Sequence, residues 1–230
     1  VSLLEDDPLF NAGLGSQIQS DGIIRMSAAL MDGKTLRMSG VINIENIQHP
    51  IQVAEKLIPY NDRILGDKGA IAFAHKNGFA NFNPEIEQRR KEFIEKLNSN
   101  RTSTVGCVCL DVNKNIAVAT STGGKGFEIP GRISDSATVA GNYANKYCGV
   151  SMTGVGEDIV SGAMAAKIVT RVTDGISITD AFHKSFEELK QINGFAGAIA
   201  IDNYGNIFHQ ESHPTMVFAS FDGVELKYFQ

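Results

Sequence analysis

The sequence predicts an α+β fold, a layered α/β sandwich rather than a regular βαβ sheet. Three observations carry that prediction. Strand-like apolar runs cluster, two helical patterns follow, and a second group of strand-like runs closes the chain. The 230 residues suit one domain, or two subunits that fold as one unit. Apolar residues make up 43% and charged residues 20%, which permits a sizeable core.

Each element follows from local pattern. Residues 1–6 (VSLLED) read as the last turns of a helix entered from upstream, so an N-terminal piece is expected ahead of them. Gly13, Gly15 and Ser16 follow Asn11 and mark a tight turn. Residues 17–19 and 23–30 flank Asp21-Gly22, a hairpin signal. A further strand is expected over 36–44. Pro50 opens a helix to about residue 58, because proline fits a first helical turn. Residues 65–75 have helical apolar spacing. Residues 84–97 (PEIEQRRKEFIEKL) give a helix with early acids and a mixed-charge face. Residues 98–103 (NSNRTS) are a polar break.

Beyond the break the texture is β-like. Residues 105–111 and 116–121 are apolar runs joined by a polar turn at 113–115. Alternation puts Cys107 and Cys109 on one face, Val108 and Leu110 on the other. Both faces are apolar, so this hairpin is expected to be buried between layers. Residues 149–153 read as a strand ending in Gly154. Residues 157–172 read as one small-residue-rich helix with acids in its first turn. Ser177-Ile178-Thr179-Asp180 resembles a capping box and starts a helix to about Gln191. Residues 197–202, 206–210, 216–221 and 224–229 are closing strands, with turns at Tyr204-Gly205 and Asp222-Gly223.

Composition narrows the partners. The net charge is −5 and the pI near 5.5, with no basic stripe, so nucleic acid is not an expected partner. No apolar run approaches the ~18 residues of a membrane span, and no membrane partner is expected. Residues 1–8 do not resemble a signal peptide. Cys107, Cys109 and Cys148 are odd in number and form no CxxC pair, which argues against a disulfide framework or a zinc site. A reducing cytoplasm is the simplest compartment.

The usual bases and nucleophiles are absent as motifs. His49, His75, His183, His209 and His213 lack metal-ligand spacing. His209 and His213 flank a turn before Pro214 and read as surface residues. No Gly-x-Ser-x-Gly elbow occurs. Hydroxyl-rich segments are more informative. Ser103-Thr104-Val105-Gly106 begins the central hairpin and Thr120-Ser121-Thr122-Gly123-Gly124 ends it. Hairpin geometry makes Thr104 and Thr122 neighbours, which is either a cross-strand hydrogen-bonded pair or a catalytic one. In residues 130–136 (PGRISDS), Arg132 and Asp135 are either a surface ion pair of little worth or a clamp for a zwitterion. In the clamp, Arg132 forks onto a carboxylate and Asp135 accepts from an ammonium. Residues 152–157 (MTGVGE) end a strand and open a helix, a turn whose N–H groups can hold a developing oxyanion.

Four motifs, TVGCVCLD (104–111), ATSTGG (119–124), PGRISDS (130–136) and TGVGEDIV (153–160), resemble in this order the plant-type asparaginase and isoaspartyl aminopeptidase family of N-terminal nucleophile hydrolases. LEDDPLFNAGLGS (4–16), MDG (31–33) and HPI (49–51) resemble that family's α-subunit. The resemblance implies a four-layer αββα sandwich and self-cleavage between Ser103 and Thr104. Residues 1–103 would then be an α-subunit, incomplete at its N-terminus, and 104–230 a β-subunit of the same folded unit. It implies Thr104 as nucleophile, Thr122 as its partner, Thr153 and Gly154 as oxyanion donors, and Asn11 beside the nucleophile. Arg132, Asp135 and Gly156 would bind substrate. Carbonyls around Leu4, Glu5, Asp7 and Phe10 would hold a structural Na+, with no cofactor for catalysis. The implied substrates are small molecules, L-asparagine and β-aspartyl dipeptides, and the implied assembly is a dimer of αβ heterodimers.

The chemistry is coherent. A threonine hydroxyl needs a base, and an α-amine has a reference pKa of about 7.7–8.0 against about 10.4 for lysine. Cleavage before Thr104 therefore creates the base together with the nucleophile. A glycosylasparaginase-like hydrolase and an uncleaved relative with a binding or structural role are the alternatives. The sequence departs from the family in three places. The family's opening strand with His-Gly-Gly-Ala-Gly and its long helix do not appear, and the stretch before Thr104 is short. Residues 213–218 (HPTMVF) lack the glycine that lines the pocket in relatives.

Overall fold

The computed structural model describes residues 1–95, 104–213 and 216–229. The first part holds α1 (Ser2–Glu5), β1 (Met26–Asp32), β2 (Arg37–Ile44), α2 (Pro50–Leu57), β3 (Ile64–Gly66), α3 (Asp67–Lys76) and α4 (Glu87–Ile94). The second part holds β4 (Val105–Leu110), β5 (Ile116–Thr122), β6 (Asn142–Ala144), β7 (Cys148–Gly154), α5 (Gly156–Gly162), α6 (Met164–Thr173) and α7 (Ile178–Gln191). It closes with β8 (Ala196–Asp202), β9 (Ile207–Glu211), β10 (Phe218–Phe221) and β11 (Leu226–Phe229).

One sheet runs in the order β3-β2-β1-β5-β4 and a second in the order β6-β7-β8-β9, while β10 and β11 pair with each other. The first sheet draws strands from both sides of residue 104, because β1 pairs antiparallel with β5 from Ser27 opposite Thr122 to Asp32 opposite Ala117. Helices α2 and α3 cover the outer side of β1 and β2 through Val41, Ile44, Val53, Leu57, Ala70 and Ala74. Helices α5, α6 and α7 pack with β7 around Val150, Met152, Ile159, Ile168, Phe182 and Leu189. A smaller cluster of Met31, Ile116, Val118 and Ala144 lies where β1 and β5 meet β6. β4 and β5 also face β7, so the two sheets touch along the strand that follows Thr104.

Local rules explain the best-defined elements. Ser177 Oγ accepts the Asp180 N–H at 3.1 Å and caps α7, whose buried Ile178, Ala181, Phe182, Phe186 and Leu189 form one face. Burying each of the larger side chains contributes about 1.5–3 kcal/mol. Pro50 occupies the first turn of α2, as expected.

Other expectations need correction. The Asp21-Gly22 turn forms, with the Gln19 N–H bonded to the Ile23 carbonyl at 2.9 Å, but 17–19 is not a strand and β1 begins at Met26. Leu65 lies in β3, ahead of the helix expected over 65–75. The helix expected over 84–97 starts only at Glu87, and residues 96–97 lie outside the described residues. The helix expected over 157–172 is two, broken at Ala163, whose φ of 48° and ψ of 40° are left-handed. The turn follows Gly162, the weakest helix former in that run. The hairpin is also less buried than expected. β4 lies at the edge of its sheet, and Cys107 and Cys109 are exposed while Val108 and Leu110 are half-buried. Alternation placed the thiols on a common face; among the described residues, no layer packs over it.

Candidate active site

The register of β4 against β5 sets the first part of the site. Val105 lies opposite Ser121, which carries Thr104 to a position opposite Thr122. Thr104 Oγ1 is 3.3 Å from Thr122 Oγ1, the neighbour relation expected from the hairpin. Thr122 is buried, and its Oγ1 accepts the Gly124 N–H at 3.2 Å. Asn11, fully buried, holds the turn after Thr122 from the other side. Its Nδ2 donates to the Gly124 carbonyl, its Oδ1 accepts the Gln17 N–H at 2.9 Å, and its carbonyl accepts the Gly123 N–H at 2.7 Å. A Cβ on Gly123 would stand 2.4 Å from Ser16 and 2.5 Å from Asn11 Oδ1, so only glycine admits this approach. Ser103, the other residue of the expected cleavage site, lies outside the described residues.

β7 brings up the second part. It ends at Thr153 and Gly154, paired with Gly197 and Ala196 of β8. Thr104, Thr153 and Gly154 line one cavity of about 290 Å³ together with Leu9, Phe10 and Phe195. Thr104 and Thr153 also line an adjoining space of about 380 Å³, walled by apolar side chains that include Met152, Met216, Phe218 and Tyr228. The proposed nucleophile and both expected oxyanion donors therefore share one wall of one hollow.

The expected clamp forms a separate group. Arg132 is bound in bidentate fashion by Glu157, Nε to Oε1 at 2.7 Å and Nη2 to Oε2 at 2.9 Å. Those hydrogen bonds hold the Glu157 carboxyl down at about 2. Asp135 is buried at 4% exposure, and burial pushes its carboxyl up to about 7. Its Oδ2 has no hydrogen-bond partner among the described residues. Gly156 sits between the two charges. A Cβ there would lie 2.9 Å from both Arg132 Nη2 and Asp135 Oδ1. Arg132, Asp135, Gly156 and Asn11 do not line either hollow. Glu157 is the site residue the sequence reading missed. Its only signal was an acid in the first turn of a helix, and its partner is 25 residues away.

The loop expected to hold Na+ carries backbone carbonyls and the carboxylates of Asp6 and Asp7, whose oxygens accept from Gln48 Nε2 at 2.9 Å and the Leu9 N–H at 3.0 Å. The Leu4 carbonyl accepts from Asp7 N at 3.4 Å, Glu5 from Leu14 N at 2.7 Å, and Asp7 from Phe10 N at 3.1 Å. Each keeps a second lone pair, so neutral oxygens fit a hard monovalent cation. The Glu5 side chain points elsewhere: Oε1 accepts Ser121 Oγ at 2.5 Å and the Ile51 N–H at 3.1 Å, and burial raises its pKa. Among the described residues, no cluster of three or more His, Cys, Asp or Glu suits a metal, at His209 and His213 or elsewhere. Among the same residues, no helix is long and apolar enough to cross a membrane.

Comparison with known proteins gives a consistent result. The family model described as asparaginase matches residues 1–103 and 87–229. The isoaspartyl peptidase/L-asparaginase of Synechocystis sp. is 44% identical, over 97% of this chain and 74% of its own length. The plant-type L-asparaginase of Pyrococcus abyssi is 34% identical, over 95% of this chain and 80% of its own. The isoaspartyl peptidase of Escherichia coli is 36% identical, over 90% and 72%. With a family model matching nearly its whole length and relatives 34–44% identical over 90–97% of it, this chain belongs to the asparaginase family.

Proposed function

We propose that this chain is the precursor of a hydrolase that cuts its own Ser103–Thr104 bond and then releases aspartate from L-asparagine and β-aspartyl dipeptides. The names of its relatives support the substrate class. The observation that carries the mechanism is Thr104 Oγ1 at 3.3 Å from Thr122 Oγ1, on the wall that also bears Thr153 and Gly154.

Cleavage frees the α-amine of Thr104, which is neutral in substantial part near pH 7 to 8 without large tuning. That amine takes the proton of the Thr104 hydroxyl, and the oxygen attacks the side-chain carbonyl of the aspartyl unit. Thr122 supports the oxygen from the facing strand. Thr153 and Gly154 stabilise the negative charge on the tetrahedral oxygen. Ammonia or an amino acid leaves with the proton held by the amine, and water then hydrolyses the acyl ester to give aspartate and free Thr104. Asp135, with an unpartnered buried oxygen, accepts the substrate ammonium. Arg132 has five N–H donors and spends two on Glu157, so the rest are open to the substrate carboxylate. Asn11 fixes the turn that carries Thr122, and Gly156 leaves room for both charges.

The same reading takes residues 1–103 and 104–230 as α- and β-subunits of one unit. It takes the order of helices, two facing sheets and helices as the four-layer αββα sandwich. A structural Na+ on the carbonyls of 4–10, a dimer of αβ heterodimers and a cytoplasmic setting belong to it as well.

Thr104→Ala tests the reading. The unaltered chain should give two bands on a denaturing gel, one of them beginning Thr-Val-Gly. The variant should give one band, with aspartate release lower by about a thousandfold or more, the scale of losing a nucleophile. Activity that survives this substitution eliminates the mechanism.

A further inference from the structure

The proposed chemistry uses Thr104 immediately ahead of β4, Thr122 on β5 and Thr153 on β7. One step of two residues along each strand keeps to the same face and reaches Gly106, Thr120 and Ser151. Gly106 lies opposite Thr120 across the β4–β5 ladder, and Ser151 lies opposite Asn142 across the β6–β7 ladder. These positions meet between the sheets. Ser151 Oγ is 2.8 Å from Thr120 Oγ1, and Thr120 Oγ1 donates to Asn142 Oδ1 at 3.1 Å. Each hydroxyl carries one proton, so the chain runs Ser151 to Thr120 to Asn142. Thr120, Ser151 and Asn142 are all buried. A Cβ on Gly106 would stand 2.2 Å from Ser151 Oγ, so the serine hydroxyl rests against bare backbone of the strand that follows Thr104.

Apolar contact between two sheets is non-directional and specifies their sliding poorly. A buried hydrogen bond of 2.8 Å is directional. Here it joins the sheet that bears the nucleophile to the sheet that bears the oxyanion donors, one step beneath both. We propose that Thr120 and Ser151 are positioning residues: their bond sets the offset between Thr104 with Thr122 on one sheet and Thr153 with Gly154 on the other. The inference rests on the function proposed above.

The test uses the full chain after self-cleavage, with rates divided by the amount of free Thr104 measured by N-terminal sequencing. Thr120→Val keeps the shape and removes the hydroxyl; kcat for asparagine should fall about ten- to a hundredfold with KM within about twofold. Thr120→Ser restores the hydroxyl and should bring kcat back to within about threefold of the unaltered chain. Ser151→Ala, which removes only the bond to Thr120, should lower kcat in the same direction, and the double variant should be no slower than Thr120→Val, because that bond is already gone in Thr120→Val. If Thr120→Val fails to yield two subunits, Ser151→Ala carries the same comparison with the loss of one oxygen. Unchanged kcat in Ser151→Ala, equal losses in the Val and Ser variants at position 120, or additive losses in the double variant would each overturn the inference. An unaltered chain that releases no aspartate from asparagine or β-aspartyl dipeptides overturns the function instead, and the inference with it.

Discussion

The two sides of the site are built by different physics. On the Thr104 side, neutral groups are locked by exclusion. Asn11 is fully buried, three of its polar atoms are bonded to neighbouring backbone, and Gly123 has no room for a methyl group. On the Arg132 side, charge does the holding. The guanidinium is half-buried, its partner Glu157 is 52% exposed, and Asp135 lies beneath them with one carboxyl oxygen unpartnered. A close-packed wall cannot relax around an added atom. A charged, part-exposed wall adjusts to salt, pH and ligand. Under the proposed function, reaction geometry and substrate affinity would be set by separate parts, and substitutions on the two sides should fail in different ways.

The largest effect should come from Gly123→Ala. The new methyl meets Ser16 and Asn11 within 2.5 Å, and both are buried. Overpacking of this kind costs about 1–3 kcal/mol, or a fall in Tm of very roughly 2–4 °C per kcal/mol for a chain of this size. The turn behind Thr122 must move, so aspartate release should drop about a hundredfold. A variant that loses Tm and keeps its rate would show that the locked side does not set the geometry.

Much of the locked side was readable in the sequence and little of the charged side was. Period-two patterning and the polar turn at 113–115 define a hairpin, and a hairpin makes Thr104 and Thr122 neighbours with no tertiary information. Ser177 announced α7 through a cap that depends on three adjacent residues. By contrast, Arg132 and Glu157 are joined only by the way β7 and α5 return past the 130–136 loop. Pattern alone left Arg132 and Asp135 between an ion pair and a clamp, and the resemblance chose the clamp. Cys107 and Cys109 were misjudged because alternation gives the faces of a strand but not what covers them. The three residues of β6 are too few to carry a period. The break at Ala163 depends on a left-handed residue that alanine rarely supplies.

The charged side should respond to pH. Burial raises Asp135 to about 7 from an ordinary value of 3.8. The folded state thus keeps a proton that the unfolded chain loses first, so this group makes stability decline as pH rises from about 3.8 toward 7 and level off above. Binding runs the other way, because only the ionised carboxyl attracts an ammonium. KM for asparagine should rise as pH falls through 7, approaching about tenfold per unit. Asp135→Asn should give a high KM, about ten- to a hundredfold above the unaltered chain at pH 8, that no longer varies in this window. A KM profile that keeps its slope in the variant would assign the titration to another group.

The smallest effect should be Glu157→Gln. Arg132 holds Glu157 at about 2, so Glu157 stays ionised across the working pH range and competes there for the guanidinium that should meet the substrate carboxylate. Glutamine keeps one acceptor, and with it the aim of Arg132, but removes the competing charge. An ion pair this exposed contributes about 0–1 kcal/mol, so KM should fall about two- to threefold. The change should shrink at about 0.5 M salt, where charges are screened beyond a few ångströms, and should be flat with pH between 5 and 8, unlike that of Asp135→Asn. A rise in KM of about tenfold or more would mean that Glu157 aims Arg132 as rigidly as Asn11 holds the turn after Thr122. Affinity would then rest on locked geometry as well, and the division between the two sides would fall.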